Sequence, residues 1–176
     1  CLDGVAETLK YGILCYRAPF AKISSWALYE NCLDTIALCV ELKAEHVTGD
    51  ERDKGSRQLL NLGHTMGHAI EVLSDFSISH GHAVAIGMVG AARIAEGLDL
   101  CGMGCAGIIM AMLDRLGLPP ETSFTADALA SVALRDKKRD GDTVTFVFPE
   151  SIGHCVLYPV PVSQVQRMFH LATGGR

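Results

Sequence analysis

Residues 80–98 read HGHAVAIGMVGAARIAEGL, and this stretch decides the fold of the chain. Apolar and small residues surround the predicted helix on nearly every side, which is typical of a helix buried in the middle of a bundle. Glycine costs about 1 kcal/mol inside a helix. Gly81, Gly87 and Gly90 therefore indicate places where a ligand or a neighbouring backbone comes close. The stretch predicts a helical core organised around residues 80–98.

Further helices are predicted on both sides of this segment from apolar spacing and from capping residues. Four of these helices cover residues 5–15, 57–73, 103–116 and 162–172. A fifth runs through Trp26, Leu28 and Tyr29 and is capped by Ser24 or Ser25. A sixth is capped by Thr125 and ends near Asp136. Another helix, capped by Asp34, is expected to have an inner face made by Ile36, Ala37, Val40, Leu42 and Ala44.

The β-structure predicted from the sequence is small. Residues 142–148 and 154–158 are rich in β-branched and aromatic side chains, and residues 149–153 are expected to turn between them. We find no strand–helix alternation and no glycine-rich phosphate loop after a strand, so no nucleotide-binding half is expected in the chain. The predicted class is mainly α: one helical-bundle domain over residues 1–176 with a small β-hairpin near the C-terminus.

Composition excludes several classes of function. The 176 residues are 49% hydrophobic and carry a net charge of -5, which excludes a protein that binds nucleic acid by neutralising phosphates. No apolar run is long enough to span a membrane, and the start of the chain is not a secretory signal. Seven scattered cysteines favour a reducing, cytoplasmic compartment. Cys101 and Cys105 have no matching second pair, so core thiols are favoured over a zinc knuckle.

Four histidines fall within residues 64–82 and indicate a possible metal or anion site. His64 and His68 are four residues apart, which places them on one face of a helix. The break at residues 75–79 is short, so two antiparallel helices could bring His64 and His80 together, and a carboxylate would complete a zinc set. A zinc-protease motif is excluded because Thr65 stands where the general-base glutamate should be. Histidines that merely pack remain the alternative.

The motifs together resemble the C-terminal domain of the 3-dehydroquinate synthase family. The matching segments are NLGHTMGHAIE at 61–71, HGHAVAIGM at 80–88, AETLKYG at 6–12, Lys43-Ala44, residues 50–57 and Asp136-Lys137-Lys138. Their order and spacing are those of the family along nearly the whole chain. The resemblance implies the helical C-terminal half of a two-domain enzyme whose N-terminal α/β half, absent from this chain, binds NAD.

The resemblance also implies the site residues. The metal ligands, for Zn²⁺ or Co²⁺, would be Glu7, His64 and His80. The remaining residues that match substrate-binding or catalytic positions are Lys43 and Arg57 near a carboxylate, Asn61, His68 and one of Lys137 and Lys138 near a phosphate, and Lys10 at a hydroxyl. Of these, Lys10, Asn61 and His68 are the catalytic candidates.

The implied reaction converts 3-deoxy-D-arabino-heptulosonate 7-phosphate to 3-dehydroquinate and phosphate, with NAD regenerated in the cycle. The substrate is thus a small sugar-phosphate acid. The family is usually homodimeric, and the shikimate pathway is the expected context. Because the chain lacks the NAD-binding half, we expect it to be inactive alone.

One departure from the family pattern is His82, where the family usually has glutamate. His82 could be an extra metal ligand, a group behind the ligands or a harmless surface change. These three interpretations stay open, and the last is favoured. Other sugar-phosphate cyclases are the nearest rivals, although some lose the histidine kept here as His68. Metal-dependent polyol dehydrogenases are less similar, because their first ligand is typically aspartate. A helical domain whose histidines only pack is the non-enzymatic alternative.

Overall fold

The computed structural model describes residues 2–15, 32–48, 55–137 and 141–175. Within these residues the chain forms seven α-helices and one β-hairpin. The helices are α1 (Leu2–Leu14), α2 (Cys32–Thr48), α3 (His64–Leu73), α4 (His80–Gly97), α5 (Cys105–Arg115), α6 (Ala126–Lys137) and α7 (Val165–Thr173). Short 3₁₀ helices at Ser56–Asn61 and Val162–Gln164 precede α3 and α7. The prediction of a mainly α fold with a C-terminal hairpin is confirmed.

Helix α4 is the central helix of the bundle, as its composition predicts. Helices α1, α3, α5 and α7 and strand β1 (Thr143–Ser151) all pack against it. Its side chains are buried almost throughout, and residues such as Val84 and Met88 are fully inaccessible. Since every residue of α4 from Ala83 to Ala92 is buried, the apolar residues of the surrounding helices complete a single core around it.

The helix predicted over 57–73 is wrong in one respect, because the structure breaks it in two. The 3₁₀ helix ends at Asn61, and Gly63 adopts a left-handed conformation with φ of 77° before α3 begins. A Cβ at Gly87 would lie 1.9 Å from the carbonyl oxygen of Gly63, so the two backbones are in direct contact here. This contact between α4 and the chain entering α3 requires glycine on both sides.

The hairpin pairs β1 with β2 (His154–Pro161) in antiparallel register, with Phe146 opposite Tyr158. The predicted turn over 149–153 is shorter in the structure, where β1 continues to Ser151 through an irregularity after Pro149. A two-stranded sheet has only edges, so proline can be accommodated. The amide of Gly153 in the turn donates to the carbonyl of Ile13, 2.8 Å away, which docks the hairpin on the end of α1.

The predicted inner face of α2 is wrong. The helix begins at Cys32, so Asp34 lies in its first turn, and Leu42 is buried while Ile36 and Val40 are 53% and 62% exposed. Among the described residues, α2 packs mainly against α1 and the first 3₁₀ helix, which cover only one side of it. The predicted helix through Trp26, Leu28 and Tyr29 lies outside the described residues.

The second half of the chain follows the predicted pattern. The hydroxyl of Thr125 accepts from the amide of Ala128 and caps α6, and Gly117 has the left-handed φ expected after α5. In the part of the chain that the structure describes, none of the helices combines the length and apolarity needed to cross a bilayer.

Candidate metal centre and substrate cavity

Three helices bring a carboxylate and two imidazoles together. Glu7 lies on α1, whose Ala6, Leu9 and Ile13 are fully buried in the core. His64 is the first residue of α3, and His80 is the first residue of α4. Because α1 and α3 both pack on α4, the side chains of Glu7, His64 and His80 point into one small space.

The ligand atoms of Glu7, His64 and His80 lie within 4.8 Å of one another. Oε1 of Glu7 is 3.9 Å from Nε2 of His64 and 3.9 Å from Nε2 of His80. Zinc ligands at about 2.0–2.2 Å from the ion stand roughly 3.4 Å apart in a tetrahedral site, so shifts of about half an ångström would complete such a site. The role of the three residues as metal ligands stays a prediction.

Neighbouring groups aim the three ligand atoms at one another. Nζ of Lys10, which is 3% exposed, donates to Oε2 of Glu7 at 2.7 Å and leaves Oε1 facing the histidines. Nδ1 of His64 lies 3.0 Å from the carbonyl oxygen of Leu62, which can only accept, so this nitrogen carries the proton. Nδ1 of His80 lies 3.2 Å from both oxygens of Glu71. Both Nε2 atoms are therefore available as ligands.

The electrostatics favour a cation at the same point. Burial, aided by the positive charge of Lys10, lowers the pKa of His64 to about 4, so this ring is neutral near pH 7. Oε1 of Glu7 is buried and has no hydrogen-bond partner among the described residues. A buried carboxylate oxygen facing an imidazole lone pair is costly unless a cation lies between them. The donor set thus fits a divalent metal ion.

A second set of potential ligands shares His80. His68, Glu71 and His80 also place ligand atoms within 4.8 Å of one another, but His68 and His80 are both exposed. The contact between Glu71 and Nδ1 of His80 within this set is a hydrogen bond that also orients His80 for the first set. Glu71 was not predicted from the sequence as a partner of His80. Glu71 lies seven residues after His64 and three after His68, which places all three on one face of a helix. This spacing was the available signal in the sequence.

A cavity of about 750 Å³ adjoins the candidate metal centre. Its polar wall includes Asn61, Thr65, His68, Arg135 and Thr145, and its apolar wall includes Val72, Phe76 and Val132. His64 and Glu71 also line it, so the predicted ligands and the cavity are continuous. Arg135 and Thr145 were missed by sequence reasoning because α6 and β1 reach the cavity only through tertiary packing.

The remaining predicted substrate residues differ in position. His68 and Asn61 line the cavity, and the ring centroids of His68 and His64 are 5.7 Å apart. Lys43 on α2 and Arg57 in the 3₁₀ helix are exposed, and neither is among the described residues that line this cavity.

Two other predicted substrate residues cannot be placed. Lys137 ends α6, but its side chain lies outside the described part of the chain, as does Lys138 altogether.

His82 lies beside the ligands without joining them. Its side chain is 28% exposed, and Nδ1 contacts the hydroxyl of Ser79 and lies 3.5 Å from Oδ1 of Asp3. Neither potential ligand set among the described residues includes His82. The expectation that His82 is a harmless surface change stays a prediction.

Known proteins resemble the chain along nearly its whole length. A sequence model of the family described as 3-dehydroquinate synthase C-terminal matches residues 4–139. The 3-dehydroquinate synthase of Pelobacter propionicus is 40% identical over 170 residues, which cover 92% of this chain and 47% of the relative. That of Clostridium perfringens is 37% identical over 166 residues, covering 91% and 47%. The chain spans about half the length of the curated relatives it matches.

Solved structures share the fold. The 2-epi-5-epi-valiolone synthase of Streptomyces hygroscopicus, determined with NAD⁺ and Zn²⁺ bound, superimposes with a TM-score of 0.82 at 24% identity, over 97% of this chain and 49% of that one. A 2-deoxy-scyllo-inosose synthase in complex with carbaglucose-6-phosphate, NAD⁺ and Co²⁺ has a TM-score of 0.77 at 21% identity, over 96% and 50%.

Proposed function

Since this chain belongs to the 3-dehydroquinate synthase C-terminal family, we propose that it forms the metal- and substrate-binding half of a 3-dehydroquinate synthase. The whole enzyme would convert 3-deoxy-D-arabino-heptulosonate 7-phosphate to 3-dehydroquinate and phosphate, as a carbon–oxygen lyase of the shikimate pathway. The relatives at 37–40% identity that carry this name support the proposal over the related cyclases, whose identity to the chain is 21–24%.

The donor set of Glu7, His64 and His80 is the observation that carries the proposal. A carboxylate oxygen and two imidazole nitrogens suit a catalytic zinc or cobalt site, which keeps a coordination position open for substrate. A metal held by these three residues would supply a Lewis acid that eases loss of the O–H proton of the substrate hydroxyl being oxidised. Lys10 holds the second oxygen of Glu7 and balances its charge, and it is also the group proposed to contact a substrate hydroxyl.

The cavity residues are proposed to hold the substrate. His68 and Asn61 line the cavity beside His64, and we assign them to the phosphate, whose oxygens can accept from an imidazole N–H or an amide N–H. One of Lys137 and Lys138 would add a positive charge there, while Lys43 and Arg57 would bind the carboxylate. A dianionic group and a carboxylate held at opposite ends would fix the reacting carbons between them.

The other half of the enzyme is the proposed partner of this chain. That half would bind NAD, which supplies the acceptor and later the donor of a hydride and is therefore not consumed. Homodimerisation and a cytoplasmic location are proposed from the family resemblance alone.

Metal content and turnover of the full-length protein test the proposal. The purified protein is expected to hold about one zinc or cobalt per chain and to release phosphate from 3-deoxy-D-arabino-heptulosonate 7-phosphate when NAD is present. His64→Ala is expected to lose the metal and to lower phosphate release by at least about 100-fold, because a first ligand matters more than its supporting partners. Chelation of the wild-type metal should have the same effect.

His154→Ala is the matched control, because His154 is exposed on the hairpin and is 65% accessible. It should keep both metal and activity. Equal metal content in His64→Ala and wild type would favour the packing explanation. Turnover of a hexose 6-phosphate but not of the heptulosonate would assign the protein to another sugar-phosphate cyclase, and NAD reduction with a simple polyol would favour a dehydrogenase.

A further inference from the structure

We infer that Asp3 is a positioning residue that holds His80 in register with Glu7 across the contact between α1 and α4. The inference rests on the proposed metal site and deepens it. Asp3 belongs to neither potential ligand set and does not line the cavity, so its proposed effect on the metal acts through the residues that it holds.

The carboxylate of Asp3 forms hydrogen bonds with both residues that flank His80. Its Oδ1 accepts a hydrogen bond from the hydroxyl of Ser79 at 2.6 Å and another from the backbone amide of Gly81 at 2.9 Å. Asp3 also lies four residues before Glu7, one turn earlier on the same face of α1. One oxygen atom therefore ties the helix that carries the carboxylate ligand to the two residues that flank an imidazole ligand.

Helix α4 depends on this contact for its first turn. The first amides of an α-helix have no acceptor within the helix, and the side chain of Ser79 at the N-cap makes no capping hydrogen bond. Asp3, on another helix, accepts from the first-turn amide of Gly81 and so acts as the cap of α4. Its negative charge also suits the positive end of the α4 dipole. His80, the first residue of α4, is consequently held where the helix would otherwise fray.

Gly81 shows how close the two helices come. A Cβ on Gly81 would stand 2.3 Å from Cα of Asp3, closer than any side chain tolerates. The absence of a side chain at Gly81 lets the α1 backbone reach the amide that Asp3 accepts from. The close backbone contact and the hydrogen bonds of Asp3 thus hold α1 and α4 together at the same place. His80 therefore has little freedom to move relative to Glu7.

His82 orients the hydroxyl of Ser79 in this arrangement. Ser79 has one proton, which it donates to Asp3, so its oxygen is left to accept from Nδ1–H of His82. His82, Ser79 and Asp3 form a chain of hydrogen bonds on the outer side of α4. This assigns His82 a supporting role behind the ligands.

Zinc affinity of Asp3 variants of the full-length protein tests the inference. The Zn²⁺ dissociation constant is measured by competition with a chromogenic chelator, and coordination is followed by the visible spectrum of the Co²⁺ form. Asp3→Ala is expected to weaken zinc binding by about 10–100-fold, the effect typical of groups that orient ligands. Its Co²⁺ bands should shift, because a displaced His80 changes the geometry around the ion.

The conservative variant Asp3→Asn separates positioning from charge. Both hydrogen bonds use Oδ1. The amide oxygen of asparagine can accept the same two bonds without a negative charge. Asp3→Asn should therefore bind zinc within about threefold of wild type. Asp114→Ala, an exposed aspartate on α5, is the control for a lost surface charge and should bind zinc like wild type.

The outcomes are distinct. Wild-type zinc affinity and an unchanged Co²⁺ spectrum in Asp3→Ala would overturn the inference while leaving the metal site intact. Equal weakening in Asp3→Asn and Asp3→Ala would also overturn it, because a charge effect would then explain the loss. A wild-type protein that binds no zinc would overturn the proposed function, and the inference with it.

Ser79→Ala keeps the test open if Asp3→Ala does not fold. This variant removes the hydroxyl donor and leaves the amide of Gly81 in contact with Asp3. The loss of one hydrogen bond should weaken zinc binding by about threefold. Unchanged affinity in Ser79→Ala together with strongly weakened affinity in Asp3→Asn would count against the inference.

Discussion

Glu71 illustrates how residues behind the proposed ligands shape the candidate metal centre. Its carboxylate lies 3.2 Å from Nδ1 of His80, while the carbonyl of Leu62 plays the same part for His64. An imidazole whose Nδ1–H is held by an acceptor presents Nε2 in one orientation and as a stronger base. Loss of such an acceptor leaves the ring free to rotate or change tautomer.

Glu71→Ala is therefore expected to weaken zinc binding by about 10–100-fold while His64 and Glu7 still hold the ion. The measurement is the Zn²⁺ dissociation constant of the full-length protein, with Glu41→Ala on the exposed side of α2 as the control. Wild-type affinity would show that His80 is held by other groups. Complete loss of stoichiometric zinc would instead place Glu71 among the ligands, as the second set would require.

At the level of elements, the crossing of α4 with the chain entering α3 controls where His64 lies. Gly63 turns the backbone with a positive φ, and Gly87 lets it approach within contact of its carbonyl. His64 is the next residue after Gly63, so a displacement of this crossing displaces a proposed ligand. The packing of two glycines thus links the stability of the core to the geometry of the site.

Gly87→Ala is expected to destabilise the protein by about 2 kcal/mol or more, because the new methyl group meets the backbone of Gly63, which cannot yield like a side chain. The melting temperature should fall by roughly 4–8 °C in a domain of this size. Thermal unfolding followed by circular dichroism measures the change.

Gly107→Ala is the matched control for this substitution. Gly107 lies within α5, and a Cβ there would meet nothing within 4 Å. The same change should stabilise the protein by about 0.5–1 kcal/mol through helix propensity. A Gly87→Ala protein as stable as Gly107→Ala would show that the crossing is looser than the structure indicates.

At the scale of the whole molecule, the candidate site is partly open to solvent in this chain. The proposed ligand His80 is 45% exposed at the side chain, and Phe76 beside the cavity is 71% exposed. The chain spans about half the length of its curated relatives, and none of its described residues forms a nucleotide-binding unit. Under the proposed function, the other half supplies NAD and covers the open side of the cavity.

The chain alone, supplied with zinc, NAD and the heptulosonate phosphate, is therefore expected to release no phosphate above background. Phosphate release measured for the chain and for the full-length protein at equal concentration checks this. Turnover by the chain alone would contradict the division of labour proposed here, because the hydride acceptor would then have to bind within these 176 residues.

The sequence by itself determined the class of fold and indicated two of the three proposed metal ligands, His64 and His80. Apolar residues all round 80–98 require a central helix, and the short break before His80 allows an antiparallel pair that brings it to His64. These are local relations, because helical period and loop length act over a few residues. The resemblance to a family, rather than any spacing, pointed to Glu7.

Tertiary structure alone decided the rest. The carboxylates of Asp3 and Glu7 reach residues more than fifty positions away, and no local pattern encodes which helix they contact. The break at Gly63 and the exposure of Ile36 and Val40 likewise follow from which surfaces the neighbouring elements cover. Periodicity specifies that a face is apolar, but packing between distant segments selects which faces are buried and which polar atoms meet.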